Sequence, residues 1–558
     1  MNSPLWSDGA QKERWLFVPE GKKIGVKPDG DFDVPPGSVA VKTFSIGGKK
    51  IESPTLGGTM TAAPRLRLGN RQPIDRHGAA EPLALPAHHL VTHGVVVGMT
   101  GSGKTGLVLV TIEEALRCGV PVLAIDVKGD LPNLLLAYPS FSAEPLLRWV
   151  EGVLSPNEQG PAEEVARALA AERQQALTAW GVGEPALAAY RAGIDVRVLT
   201  PGSSAGEPLH VLSALERRSA RWDHDPESAR ASLSAAVSLV LRLVGRDPDP
   251  AGSKEHVLLS VLAERRLRAG SAAELASLLA DLTSSPIDIV GALPLESFLP
   301  KSERRSLAAA LNTLLASPTF ASWRTGATLD VDAWLTPKGG RTPAVIVSVA
   351  HLDDDERALV LGVLLEEVLS WVRAQPGSKR LQSLVAFDEV YGFLPPHPAN
   401  PPTKHAIVAL MKQARAFGVG VLLATQNPID LDYRALSNAG LWCVGRLQTD
   451  ADRERVVEGQ AGDTRGKEQT AARALGNVVK KLAPRWFVLR DAQGQAAPVL
   501  LQPRYAMSFL RGPMTRSELV AARKEFAGVA GRDVALASDR GAAHGGLEQV
   551  VDAGADTR

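Results

Sequence analysis

The sequence is poor in cysteine: Cys118 and Cys443 are the only two in 558 residues. No disulfide framework and no thiolate cluster with metal spacing can be built from them. Neither sign of charge is in excess. Lys plus Arg number 62 and Asp plus Glu 61, a formal net charge of +1 with His neutral. That excludes a protein that coats nucleic acid by bulk charge, so a nucleic-acid contact has to be a local patch. No stretch reaches about 18 uninterrupted apolar residues, so no membrane span is expected. The first 20 residues hold no apolar run of the kind a secretory signal needs, and a cytoplasmic location is the expectation. What is present is ordinary for a globular protein. Hydrophobic residues are 45% and charged residues 22%, which excludes a wholly disordered or collagen-like chain. The length sets an expectation of two to four domains at roughly 150 residues each.

Lysine marks a change along the chain. Seven of 19 Lys fall in the first 50 residues, whereas Arg dominates later. Residues 1–60 read as a small β-rich segment, with strands expected at Arg14–Val18, Lys23–Val26 and Ser38–Ile46. Residues 61–89, rich in Gly, Pro and Arg, read as a linker. Residues 90–140 and 341–510 alternate short apolar runs with helical patterns. Val95–Gly98, Val120–Asp126, Pro343–Ala350, Ser383–Asp388, Val419–Thr425 and Trp442–Leu447 have the character of parallel strands buried on both faces. Arg485–Asp491 and Pro498–Gln502 follow as a closing pair. The fold class expected is α/β, a parallel sheet with helices on both faces. Residues 141–340 read as a mostly helical insertion, with helices over Glu163–Trp180, Glu227–Leu243, Lys254–Arg268 and Ser302–Leu315, and one strand at Ile194–Thr200. Residues 511–558 read as a C-terminal helix and a disordered tail.

The strongest motif is Gly98-Met99-Thr100-Gly101-Ser102-Gly103-Lys104-Thr105, followed by Gly106. It fits G-x-x-x-x-G-K-[ST] between a strand and a helix, the context a phosphate-binding loop requires. Its glycines let backbone N–H groups turn onto phosphate oxygens, and the helix N-terminus adds a favourable dipole. Lys104 is expected to reach the β- and γ-phosphates and the Thr105 hydroxyl to bind Mg²⁺. ATP and Mg²⁺ are therefore the expected cofactors. A second signal, Leu384-Val385-Ala386-Phe387-Asp388-Glu389, ends a buried strand with two acids, as a Walker B element does. Asp388 is expected in the Mg²⁺ shell and Glu389 at the attacking water. Gln426, at the carboxyl end of the next strand, either senses the γ-phosphate or holds the water, or else merely caps the strand. Asp126 either positions water or metal or is a turn acid. Arg415 either neutralises a helix end or serves as an arginine finger for a neighbouring subunit.

Taken in order, these stretches resemble the HerA/FtsK-type P-loop ATPases, specifically the HerA-helicase-like branch. The matching stretches are His93–Gly98 leading into the loop, Ala124–Leu131, Phe387–Pro396, Lys412–Gly420, Ala424–Pro428 and Leu436–Leu447. The resemblance implies a RecA-like core and a homo-hexameric ring that couples ATP hydrolysis to movement along DNA or its unwinding, beside a partner nuclease. It raises the finger reading of Arg415, with Arg446 as a second candidate. Two alternatives remain: a nucleotide-gated switch that does not move on DNA, and a secretion or conjugation ATPase. Two departures from the family stand out. Lys104 and Asp388 are 284 positions apart, so a large insertion splits the core, and the family's N-terminal β-barrel is not recognisable. Residues 4–52 instead resemble a module of secreted multihaem cytochrome-type proteins, without a C-x-x-C-H sequence.

Overall fold

Runs of Val, Leu, Ile and Ala too short for helices form the centre of the larger of two units, Leu66–Arg558; the smaller is Met1–Arg65. The computed structural model describes residues 64–75, 79–152, 161–219, 221–426, 428, 431–447, 449, 451–453, 475–494 and 497–528, together with 11–18, 21, 23, 25–26, 32–33, 39–46, 49–52 and 55–56. In the smaller unit, Val39–Ile46 pairs antiparallel with Gln11–Phe17, Lys49–Glu52 and Thr55–Leu56. Gly25–Val26 pairs with Phe32–Asp33. The rest of the expected β-rich segment lies outside the described residues.

Among the described residues, the larger unit holds one sheet of 13 strands. In chain order they are β1 Arg65–Pro73, β2 Glu81–Pro86, β3 Gly94–Val97, β4 Val122–Asp126, β5 Ile194–Pro201, β6 Glu207–His210, β7 Ala327–Thr328, β8 Thr342–Ser348, β9 Ser378–Asp388, β10 Phe417–Thr425, β11 Leu441–Val444, β12 Phe487–Asp491 and β13 Val499–Pro503. Their spatial order is β7-β6-β5-β8-β4-β9-β10-β3-β11-β12-β13-β1-β2. From β7 to β11 all neighbours run parallel, and β11 through β13 to β1 run antiparallel.

Both faces of the central strands are covered, which is why these strands read as continuous apolar runs. In β4, Val122 and Ala124 pack into one layer and Leu123 and Ile125 into the other. The first layer is built from the P-loop helix Lys104–Arg117 with Ala162–Thr178 and Glu184–Gly193. The second is built from Pro226–Leu243, Lys254–Arg268, Lys301–Ala316, Asp354–Arg373 and Pro402–Gln413.

Two expectations need correction. Residues 65–73 and 81–86, read as linker, are strands β1 and β2 of the sheet. Their Arg- and Gly-rich sequence suits an edge: Leu66 and Leu68 are buried while Arg65 and Arg67 are exposed. The insertion is mostly helical, but it also supplies β5, β6 and β7, which carry the same sheet outward from β8. Only β5 has a β-branched run long enough to be seen in sequence. The C-terminal helix covers 516–528, and the tail lies outside the described residues.

The P-loop helix is fixed by two buried acids. Glu113, fully buried, accepts from Arg504 Nη1 at 2.9 Å, from the Met507 N–H at 2.9 Å and from the Ser508 N–H at 2.8 Å. Glu114 accepts from Arg504 Nη2 at 3.1 Å and from the Arg67 N–H at 2.7 Å. The cluster thus ties the helix to β1 and to the segment after β13. Arg504→Met should cost about 3–5 kcal/mol, because it strips a buried carboxylate of its cation. Thermal unfolding checks this: an unchanged melting temperature would mean that the amides of Met507 and Ser508 hold Glu113 unaided.

Candidate active site

β3 ends at Val97 and the helix begins at Lys104, so the turn between them must fold back on itself. Gly101 and Gly103 do this with φ of +77° and +90°, a region open to glycine at little cost. Gly103 caps the helix, and the first turn carries no acidic residue, which leaves the positive end of the helix dipole for an anion. The loop is pinned on both sides. The Met99 N–H donates to the Arg446 carbonyl at 2.9 Å, and the Arg485 N–H donates to the Ser102 carbonyl at 2.9 Å. A Cβ on Gly98 would stand 2.6 Å from Ser102 Oγ, so a side chain there would displace the Ser102 hydroxyl.

Lys104 is buried, and burial lowers its pKa against the opposing pull of Glu389 and Asp388. Asp388 ends β9 in register with Asp126 at the end of β4. It is 2% exposed, and its Oδ2 has no hydrogen-bond partner. Burial, and then the charge of Asp126, push the Asp388 carboxyl up to about 7. An orphaned buried carboxylate oxygen beside Lys104 fits a divalent cation. Asp388 and the half-buried Thr105 on the first turn of the helix are the groups that would hold Mg²⁺, which links and neutralises the terminal phosphates when bound.

Asp126 resolves as the turn acid. Its Oδ1 accepts from the Gly129 N–H at 2.9 Å and the Asp130 N–H at 3.1 Å, and its Oδ2 from Ser348 Oγ at 2.7 Å. Burial raises its carboxyl to about 6. The turn it holds presents Lys128, whose Nζ lies 2.6 Å from Glu389 Oε2. Glu389 has φ +67°, left-handed for a residue with a side chain. Its other oxygen accepts from the Gln426 N–H at 3.1 Å and Thr425 Oγ1 at 3.3 Å. Thr100 Oγ1 in turn donates to Gln426 Oε1 at 2.7 Å. A continuous chain of contacts therefore runs from the P-loop through Gln426 and Glu389 to Lys128.

The structure brings together Gly98–Gly106, Asp388, Glu389 and Gln426, and leaves Arg415 apart. Arg415 is exposed on the turn Ala414–Ala416 that leads into β10, whereas Gln426 follows the other end of that strand. Arg446 meets the P-loop through its carbonyl, with its side chain exposed. Three residues at the site had no role assigned from sequence. Lys128 lay within the Asp126–Asp130 run, but its partner Glu389, just past the end of β9, is 261 positions away. Arg485 and Tyr505 carried no motif at all. Among the described residues no group of three or more His, Cys, Asp and Glu is placed to hold a metal, and no helix is long and apolar enough to cross a membrane.

Residues 72–150 match the family model described as helicase HerA-like C-terminal, a span that includes the P-loop, its helix and the Asp126–Asp130 turn. None of the curated proteins matches the chain. Three solved structures are similar at low identity. The plasmid coupling protein TrwB in complex with ADP and Mg²⁺ is 14% identical, with 82% of this chain and 100% of that chain covered and a TM-score of 0.43. VirB4 of Thermoanaerobacter pseudethanolicus is 12% identical, with 80% and 99% covered and a TM-score of 0.40. The genome packaging NTPase B204 from Sulfolobus turreted icosahedral virus 2, in complex with sulfate, is 18% identical, with 29% and 66% covered and a TM-score of 0.20. The likeness of residues 4–52 to a cytochrome-type module finds no support in these matches. Over residues 72–150 the chain is thus similar to the helicase HerA-like C-terminal family, and the P-loop with the strand-end acids Asp126 and Asp388 in register has the arrangement of a nucleotide-binding site.

The raised pKa of Asp388 sets a pH dependence. A carboxyl must lose its proton before it binds metal, so Mg²⁺ affinity should fall as pH drops below about 7. The rise in melting temperature produced by Mg²⁺ with ADP should be larger at pH 8 than at pH 6. Asp388→Asn should flatten that difference. An equal rise at both pH values in the wild type would refute the assignment of Asp388 to the metal.

Proposed function

We propose that this chain is a ring-forming ATPase that couples ATP hydrolysis to movement along DNA. In this reading the amides of Gly98–Gly106 cradle the phosphates, and Lys104 neutralises the β- and γ-phosphates. Thr105 and Asp388 hold Mg²⁺, Glu389 orients the attacking water, and Gln426 connects the γ-phosphate end to the P-loop through Thr100. Phosphoryl transfer needs little covalent help from the protein, so catalysis rests on positioning and charge.

The observation that carries the ring reading is the position of Arg415. It lies before the start of β10 and Gln426 lies after its end; at roughly 3.3 Å per residue the two are about 30 Å apart. An arginine so placed does not serve its own nucleotide. Its exposure supports the reading in which it reaches a neighbour's nucleotide and supplies in trans the guanidinium that stabilises the transition state. The likeness of residues 72–150 to the helicase HerA-like C-terminal family supports a hexameric ring, with DNA as the polymer.

One observation favours the second reading, a nucleotide-gated switch. Glu389 is ion-paired to Lys128 and so begins with its charge engaged. Basal hydrolysis is then slow until an arriving phosphate draws Lys128 away. DNA distinguishes the two readings: a translocase is stimulated by DNA, whereas a pure switch is not.

Lys104→Ala should abolish nucleotide binding, whereas Glu389→Gln should bind ATP with near wild-type affinity and hydrolyse it about 10²-fold or more slowly. Equal affinity in wild type and Lys104→Ala, by calorimetric titration, would sink the P-loop assignment. Arg415→Ala should bind nucleotide yet lose hydrolysis. Mixed with Lys104→Ala under subunit exchange, it should regain part of the activity, because some interfaces then pair an intact P-loop with an intact arginine. Full activity of Arg415→Ala alone would reduce the residue to a helix-end cation.

A further inference from the structure

A cavity of about 460 Å³ opens beside the first turn of the P-loop helix, with Gly103 and Gly106 in its lining. None of Asp388, Glu389, Lys128 or Gln426 lines it, so it lies away from the end of the site where the γ-phosphate is cleaved. A triphosphate laid along the P-loop with its γ-phosphate toward Glu389 delivers its other end to Gly106. There the space is open: a Cβ on Gly106 would meet nothing within 4 Å. We propose that this cavity is the nucleobase subsite, in which Tyr505 provides the stacking platform. The proposal rests on the P-loop being a nucleotide site and adds which residues receive the base.

The chemistry of the cavity suits a flat aromatic ring. Leu107 lies on its P-loop-helix side, and Leu169, Ala176 and Leu177 of the helix Ala162–Thr178 form an apolar wall. Glu172 and Arg173 of the same helix bring polar groups to that wall, and Tyr505 lines the cavity with its ring 45% exposed. Its plane is fixed, because the Arg485 guanidinium lies 3.4 Å from the ring centroid. Arg485 is itself fixed by donating from Nη2 to the Pro503 carbonyl at 2.9 Å, and from its backbone N–H to the Ser102 carbonyl at 2.9 Å. A Cβ on Gly103 would stand 3.0 Å from Arg485 Cγ, so the stack rests directly against the P-loop. The backbone of Tyr505 is held by its neighbour Arg504 in the cluster with Glu113 and Glu114. The ring is therefore presented ready-made, at a set distance from the phosphates. Base recognition by a π-face is tolerant of sequence, so purine triphosphates should bind alike, and better than pyrimidine ones.

Calorimetric titration of the full chain with ATP, CTP and inorganic tripolyphosphate tests this. In the wild type ATP should bind at least about tenfold more tightly than tripolyphosphate, the range of a single base–aromatic stack, with CTP between them. Tyr505→Ala should remove most of that advantage while leaving tripolyphosphate affinity unchanged, and Tyr505→Phe should keep it. Leu169→Trp, which narrows the cavity without touching the stack, should likewise weaken ATP and spare tripolyphosphate. Equal binding of ATP and tripolyphosphate by the wild type would overturn the proposal, as would a Tyr505→Ala protein that loses affinity for both ligands alike. Failure of the wild type to bind either ligand would instead overturn the nucleotide reading on which the proposal stands, and the proposal with it.

Discussion

The P-loop helix can hold a phosphate cradle only if it does not move relative to the sheet, and one buried ion cluster fixes it. Glu113 and Glu114 point into the protein from a helix whose other buried residues, Lys104 and Thr111 apart, are apolar. Arg504 meets both, and the amides of Met507 and Ser508 complete the coordination of Glu113. Buried charge is costly unless every lone pair is satisfied, so this arrangement tolerates few alternative positions of its parts. The segment 503–510, strand β1 and the helix are therefore set together. From that one constraint follow the position of the P-loop, the wall of the cavity beside it and the plane of Tyr505.

Much of this was legible in sequence for reasons that are physical. Strands β3, β4, β8, β9 and β10 are buried on both faces, and such strands must be apolar throughout; Val122–Asp126 and Thr342–Ser348 show it plainly. Helices such as Lys254–Arg268 were visible because one face is core and the other solvent. What was illegible was set by tertiary pairing. β6 is Glu-Pro-Leu-His and β7 is Ala-Thr, sequences that have no strand character until neighbours supply hydrogen bonds. The same holds for β1 and β2, whose Arg, Gly and Pro suggested a linker. At the site, the placement of residue types at a fixed spacing could be read: Lys104 and Thr105 open the helix after the Gly-rich turn, and Asp388 and Glu389 come at the end of β9 beside them. Lys128 could not, since its meaning lies in a carboxylate on another strand. Nor could the stacking of Arg485 on Tyr505, which no spacing rule describes.

Strand β10 separates Gln426 from Arg415. At its carboxyl end Gln426 joins the P-loop to Glu389 through hydrogen bonds of 2.7 and 3.1 Å. At its amino end the turn Ala414–Ala416 carries Arg415 to the surface. The strand lies between β9 and β3, buried along nearly its whole length, and it has little freedom to bend.

The insertion between β4 and β8 has a consequence for the birth of the protein. β4 and β9 pair residue for residue, Asp126 beside Asp388, yet more than 250 residues separate them in the chain. At a synthesis rate of roughly 5–20 residues per second, the P-loop leaves the ribosome tens of seconds before its acidic partners. During that interval β3 and β4 are apolar edges without neighbours, the kind of surface that invites mispairing. The helices of the insertion emerge first and can fold locally. They are thus able to cover one face of the waiting strands, so the segment that splits the catalytic core in sequence also shelters it while it is incomplete.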